Sequence, residues 1–200
     1  MAQGAFPLLA IDRGLVRFLE GNRDFFNEIN AINKEETKMS SAEIEKHLVD
    51  SIRLGMENVR ERRTWPFGAV LVKDGKVVAR AVNQVESLCD PSAHAEMQAV
   101  RAAAKALGTT DLSGAVVYAS GSPCSMCCSA MYLSGVSRVY YAYSNEDGAP
   151  YDLSAERGYV ELSRPAEQRE MQLTHVRVRD EGQPGRLKGL VRAGGALSRS

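Results

Sequence analysis

Apolar and polar positions change their period several times along the chain, and the changes mark out its elements. From Ser41, the residues Ile44, Leu48, Ile52 (or Val49), Met56 and Val59 recur at three- to four-residue intervals. That spacing predicts an amphipathic helix to about Arg63, capped by Ser40 or Ser41 with Glu43 or Glu45 in its first turn. In "PFGAVLVKDGKVVARAV" two apolar runs flank Lys73-Asp74-Gly75-Lys76, and Asp-Gly between such runs predicts a hairpin. "DPSAHAEMQAVRAAAKALG" supplies start chemistry at Pro91 and Ser92, an Ala-rich periodic middle and a closing Gly108, a helix. "GAVVYAS" reads as a buried strand, Pro123 opens a helix closed by Gly135, and "VSRVYYAYS" reads as another strand. Further on, "RGYVEL" and "LTHVRV" read as strands with "PAEQREMQ" between them as a short helix. Strand and helix alternating after a hairpin imply an α/β layer with a mixed sheet.

Before Met39 no clean period is present, although "NEINAINKEETK" can form a helix. Residues 1–38 are therefore expected to be an appendage, 39–180 the folded domain and 181–200, rich in Gly and Arg, a flexible tail. A chain of 200 residues suits one such domain. The formal net charge is zero, 25 basic against 25 acidic residues, and nucleic-acid capture through phosphates favours a basic excess. No apolar run approaches the roughly 18 residues of a membrane span. The opening stretch carries Asp12 and Arg13 where a secretion signal is apolar. The expected location is cytoplasmic, where thiols stay reduced, so the four cysteines invite a metal or nucleophilic reading before a disulfide one.

"HAE", His94 to Glu96, and "PCSMC", Pro123 to Cys127, each fall at a predicted helix start. Cys124 and Cys127 are three apart, so both sulfurs face one way, and the helix N-terminus favours thiolate. With one imidazole nitrogen from His94 they make a one-nitrogen, two-sulfur shell that suits Zn²⁺, one per subunit. Structural zinc takes four protein ligands, whereas catalytic zinc keeps a place for water and lowers its pKa to about 7. Glu96 would then hold that water and move its proton. A closed site using Cys128 or Cys89 is the competing reading. Cys128 points about 100° around the helix from Cys127 and reads as core filler, and Cys89 as a buried bystander. His47 and His175 read as surface or structural residues, and Trp65 as a pocket cover or an interface residue.

An H-x-E motif followed by P-C-x-x-C is the signature of zinc deaminases. From about Ser41 to Val160 the sequence resembles the cytidine-deaminase superfamily, in particular its guanine, cytosine and tRNA adenosine deaminases. The resemblance implies a three-layer αβα sandwich around a five-stranded mixed sheet, assembled as a homodimer or larger homo-oligomer. It implies His94, Cys124 and Cys127 as zinc ligands and Glu96 as the proton shuttle. Asn83 matches a substrate-binding asparagine and Phe67 a residue lining the base pocket, with backbone groups at Ala95 and near Pro123 completing the site. The loop "NQVESLCDPSAHAE" resembles guanine deaminase most, which implies guanine, a small-molecule nucleobase, deaminated to xanthine. Cytosine or isocytosine, and adenosine in a tRNA anticodon loop, are the alternatives; neutral charge counts against the last. Ser122 stands where most relatives carry Glu before Pro-Cys, as in cytosine deaminase. In "SNEDGAPYDLSAERGYVEL" the match to guanine deaminase is loose, and Asp147, Tyr151 and Asp152 are the candidates there for reading the substrate's edge.

Overall fold

Asp74 and Gly75 have φ of +51° and +69°, the two positive angles that let a two-residue turn match the twist of its strands. They join β1 (Gly68–Lys73) to β2 (Lys76–Val82) in this computed structural model, which describes residues 40–62 and 65–176. The described residues from Ala42 onward belong to one compact unit. The remaining helices and strands are α1 (Ser41–Arg62), α2 (Val85–Leu88), α3 (Ala95–Leu107), β3 (Val116–Gly121), α4 (Ser125–Leu133), β4 (Arg138–Tyr143), α5 (Asn145–Gly148) and α6 (Glu156–Ser163). Short 3-10 turns at Ala149–Tyr151 and Ala166–Gln168 punctuate the end.

Four strands form one mixed sheet in the order β2-β1-β3-β4. β1 is antiparallel to β2 and β3, and β3 is parallel to β4. The central strands read as near-continuous apolar runs because both faces are covered: all of β3, and β1 from Gly68 to Val72, is buried. One face packs against α3 and α4 through Ala69, Leu71 and Val117 meeting Ala95, Ala99, Ala103, Cys127 and Met131. Alanine at so many facing positions lets α3 lie close to the sheet. The other face carries Tyr118, whose ring centroid is 4.9 Å from that of His47 on α1.

The structure differs from expectation in four places. Among the described residues the sheet has four strands, not five. "RGYVEL" lies in α6: Ser154 Oγ accepts from the Glu156 N–H at 3.3 Å at its start, and Pro165 forces Arg164 into extended backbone, ending the helix. "LTHVRV" has no regular structure from Leu173 to Val176, and its last two residues lie outside the described residues, as do the segments 1–38 and 181–200. Finally, α1 buries the predicted stripe only in part. Ile44, Leu48 and Ile52 are half-buried and Val49, Met56 and Val59 exposed, whereas Ser51, Gly55 and Asn58 are buried. A β-carbon on Gly55 would lie 2.3 Å from the Pro66 carbonyl oxygen, and one on Gly68 2.3 Å from that of Ser51. Backbone approach of this kind selects small residues, so the inward face of α1 is small and polar. No helix among the described residues is long and apolar enough to cross a membrane.

Candidate active site

Two helix starts meet at one point. Asp90 organises the loop before α3: its Oδ1 accepts from the Ser92 N–H at 2.8 Å and the Ser92 hydroxyl at 2.6 Å. His94 then occupies the N-cap of α3, and Cys124, leaving β3, the N-cap of α4. Neither helix has a side-chain cap, so their positive ends stay available to anionic groups.

Cys124 Sγ lies 3.5 Å from His94 Nδ1 and 3.5 Å from Cys127 Sγ, and Cys127 Sγ is 3.7 Å from His94 Nδ1. Around a tetrahedral zinc, with bonds of about 2.3 Å to sulfur and 2.0–2.1 Å to nitrogen, such donors sit about 3.8 Å (S to S) and 3.6 Å (S to N) apart. The triangle fits a zinc ion, with one position left for a non-protein ligand. Glu96 is 8% exposed, and its Oε2 stands 3.6 Å from Cys127 Sγ. It is beside the donor set without belonging to it.

The electrostatics follow from this packing. The Cys124 thiol is pulled down, first by its hydrogen bond with Cys127 and then by His94. Cys127, by the same hydrogen bond and by burial, is pushed up. His94 is raised by its hydrogen bond to the Cys124 sulfur, against burial. Burial raises the Glu96 carboxyl. One thiolate is favoured before any cation arrives, and a bound cation favours the second.

Above the triangle opens a cavity of about 410 Å³, within the range of small-molecule sites. His94, Glu96 and Cys124 line it, together with Trp65, Phe67 and Asn83 and with Asp152 to Ala155 and Gly158. Asn83 is tightly held: its N–H donates to the Phe67 carbonyl at 3.0 Å, its carbonyl accepts from Asn58 Nδ2 at 2.9 Å, and its Oδ1 accepts from the Val85 N–H at 3.1 Å. With Oδ1 occupied, the side-chain NH₂ is the group left to donate. Phe67 fits because residue 121 is glycine: a β-carbon there would stand 2.8 Å from the ring.

A profile of the cytidine and deoxycytidylate deaminase zinc-binding region matches residues 27–143. The chain belongs to this zinc deaminase family. It is 36% identical over 140 residues to the guanine deaminase of Bacillus subtilis, covering 70% of this chain and 90% of that protein. The crystal structure of the Bacillus subtilis guanine deaminase superposes with a TM-score of 0.69 at 32% identity, covering 81% of this chain and 98% of that one. The tRNA-specific adenosine deaminase of Agrobacterium fabrum is 38% identical over 102 residues, 51% of this chain and 67% of that protein. The protein is thus a hydrolytic C–N deaminase with His94, Cys124 and Cys127 positioned for zinc.

Within this deaminase, the candidates expected to read the substrate separate. Asn83, Phe67 and Asp152 line the cavity. Asp147 does not: its Oδ2 accepts from the Ser144 N–H at 2.8 Å while Ser144 Oγ accepts from its own N–H at 3.2 Å, a capping box that occupies the carboxylate. Tyr151 is 74% exposed, and both residues border a neighbouring, more apolar cavity instead. Ala95 is fully buried in the core and does not line the cavity. Cys89, expected to be buried, is exposed in left-handed backbone at the end of α2. Cys128 packs partly against the core. The sequence reading missed Val85, Leu153, Ser154, Ala155 and Gly158. Val85 stands in the quoted loop "NQVESLCDPSAHAE" without having been singled out, and the only signal of the others was a place after the last clear strand.

Proposed function

We propose that this deaminase acts on guanine as the free base, converting guanine and water to xanthine and ammonia. The observation that carries this reading is that an amide donor, Asn83, and a carboxylate acceptor, Asp152, line the same nucleobase-sized cavity as His94, Glu96 and Cys124. Guanine offers ring acceptors that suit Asn83 and ring N–H donors that suit Asp152. The imidazole N–H that a carboxylate can take is absent from the nucleoside, so the acidic side favours the free base. Phe67 supplies an apolar ring surface beside the base.

Glu96 moves the proton. Buried beside the thiolates, its carboxyl is raised, the condition under which one carboxyl serves as base and then acid near neutrality. It takes a proton from the attacking water and delivers it to the departing amine. His94, Cys124 and Cys127 would hold the zinc, which would supply a water of lowered pKa, competent as a nucleophile at neutral pH. The first turns of α3 and α4 favour the negative charge that gathers there.

The match to guanine deaminase, which spans 90% of that protein and superposes with a TM-score of 0.69, supports the small-molecule substrate, as does zero net charge. The same reading takes residues 39–180 as the deaminase domain, in the cytoplasm, and the protein as a homodimer or larger homo-oligomer. Supporting the last, Tyr132 and Leu133 on α4 are 82% and 83% exposed. Ammonia release from guanine, cytosine, isocytosine, adenine, guanosine and an anticodon stem-loop tests the substrate. Turnover of guanine alone is expected; salt-sensitive turnover of the stem-loop alone would replace this reading with the tRNA one.

A further inference from the structure

The stretch from Ser122 to Cys124 carries a zinc-positioned ligand, yet its middle residue is a proline, which has no N–H to donate. The Pro123 carbonyl is therefore the polar handle of that residue. From α6, the Tyr159 hydroxyl donates to it at 2.7 Å and lies 3.0 Å from Cys128 Sγ. The peptide unit that carries this carbonyl ends at the Cys124 nitrogen and is rigid, so holding its oxygen sets where the Cys124 side chain begins.

The same helix carries part of the cavity wall. Leu153, Ser154 and Ala155 run into α6, and Gly158, which also lines the cavity, approaches α4 so closely that a β-carbon on it would stand 3.0 Å from Ser125 Oγ. The ring of Tyr159 is not buried in a core; the residue is 38% exposed. Its hydroxyl joins wall and loop across 36 residues of chain.

We propose that Tyr159 is a positioning residue for the metal loop: its hydroxyl fixes the Pro123–Cys124 peptide and, through it, the Cys124 sulfur, while tying the cavity wall to that loop. The part of this that concerns substrate rests on the nucleobase reading above; the part that concerns the metal does not. Cys128, the third cysteine of the cluster, then has a place as neighbour of the latch.

The test compares Tyr159→Phe, which keeps the ring, with Cys128→Ala, which keeps the bond to Pro123. The first readout is the rate at which zinc-loaded protein gives up zinc to a chromogenic chelator, and the second is KM and kcat for guanine. A neutral hydrogen bond of this kind implies that Tyr159→Phe releases zinc roughly two- to tenfold faster, with KM raised by a similar factor. kcat per bound zinc should change less than KM. Cys128→Ala should match the wild type in both. Tyr159→Leu, run beside them with thermal melts, separates the ring's packing from its hydroxyl. Unchanged zinc release in Tyr159→Phe, or the full effect in Cys128→Ala, would overturn the proposal. If the wild type releases no ammonia from guanine, the substrate reading has failed, and the zinc-release comparison still decides the role of Tyr159.

Discussion

Gly121 gives the sharpest link from backbone to binding. A β-carbon at this position would meet Phe67 Cε1 at 2.8 Å and Cδ1 at 3.2 Å, and residue 121 is buried at the end of β3. Its φ is not among the positive ones, so alanine is compatible with the backbone and only the contact opposes it. Removing a glycine's freedom in the unfolded chain stabilises by about 0.4–1 kcal/mol, whereas forcing a methyl against a packed ring costs about 1–3 kcal/mol. Gly121→Ala is therefore expected to lose about 1–2 kcal/mol net and, by displacing Phe67 into the cavity, to raise KM for guanine more than it lowers kcat. The assay is a double-mutant cycle with Phe67→Leu, read by urea denaturation and by KM. With the ring gone, Gly121→Ala should become neutral or stabilising. A loss of the same size in both backgrounds would refute the reasoning, because the cost would then lie in the strand and not in the ring.

Asp152→Asn removes the negative charge and replaces one acceptor oxygen by an NH₂ donor while keeping shape, and KM for guanine should rise by roughly tenfold or more, as for a lost hydrogen bond to a charged group; steady-state kinetics check it, and an unchanged KM would take Asp152 out of recognition. His47, held below its ordinary value of 6.5 mainly by burial, has a ring Nδ1 that is buried with no hydrogen-bond partner. The native state then binds fewer protons than the unfolded chain, so its contribution is complete above 6.5 and is lost as pH falls through the lower native value. Urea midpoints measured from about pH 8 to about pH 5 should fall, and His47→Gln should flatten that fall.

What the sequence made legible depended on how local each signal was. Asp74-Gly75 announced its hairpin because two adjacent residues set the turn, and the zinc triangle was legible because H-x-E and C-x-x-C each sit within one helical turn. Spacing alone did not bring the two helix starts together; the packing of α3 and α4 on one sheet face did. The inward face of α1 was misread because apolar periodicity marks burial only where the approach leaves room for side chains; at Gly55 and Gly68 backbone meets backbone. The part of the cavity lining from Leu153 to Ala155, with Gly158, was the least visible. Its residues act by where α6 lies, and the six-residue run "RGYVEL" carries too little period to tell helix from strand. Asp147 illustrates a further limit, since a carboxylate in a promising loop had a local partner, Ser144, that consumed it.

The most direct test of the central claim is ammonia release from guanine by the zinc-loaded protein, measured beside Glu96→Gln with zinc counted in both. The account predicts equal zinc and a loss of kcat of about 10²–10⁴-fold, the usual contribution of a positioned acid–base group. Equal zinc with undiminished turnover would contradict it, because the proton would then be moving without Glu96.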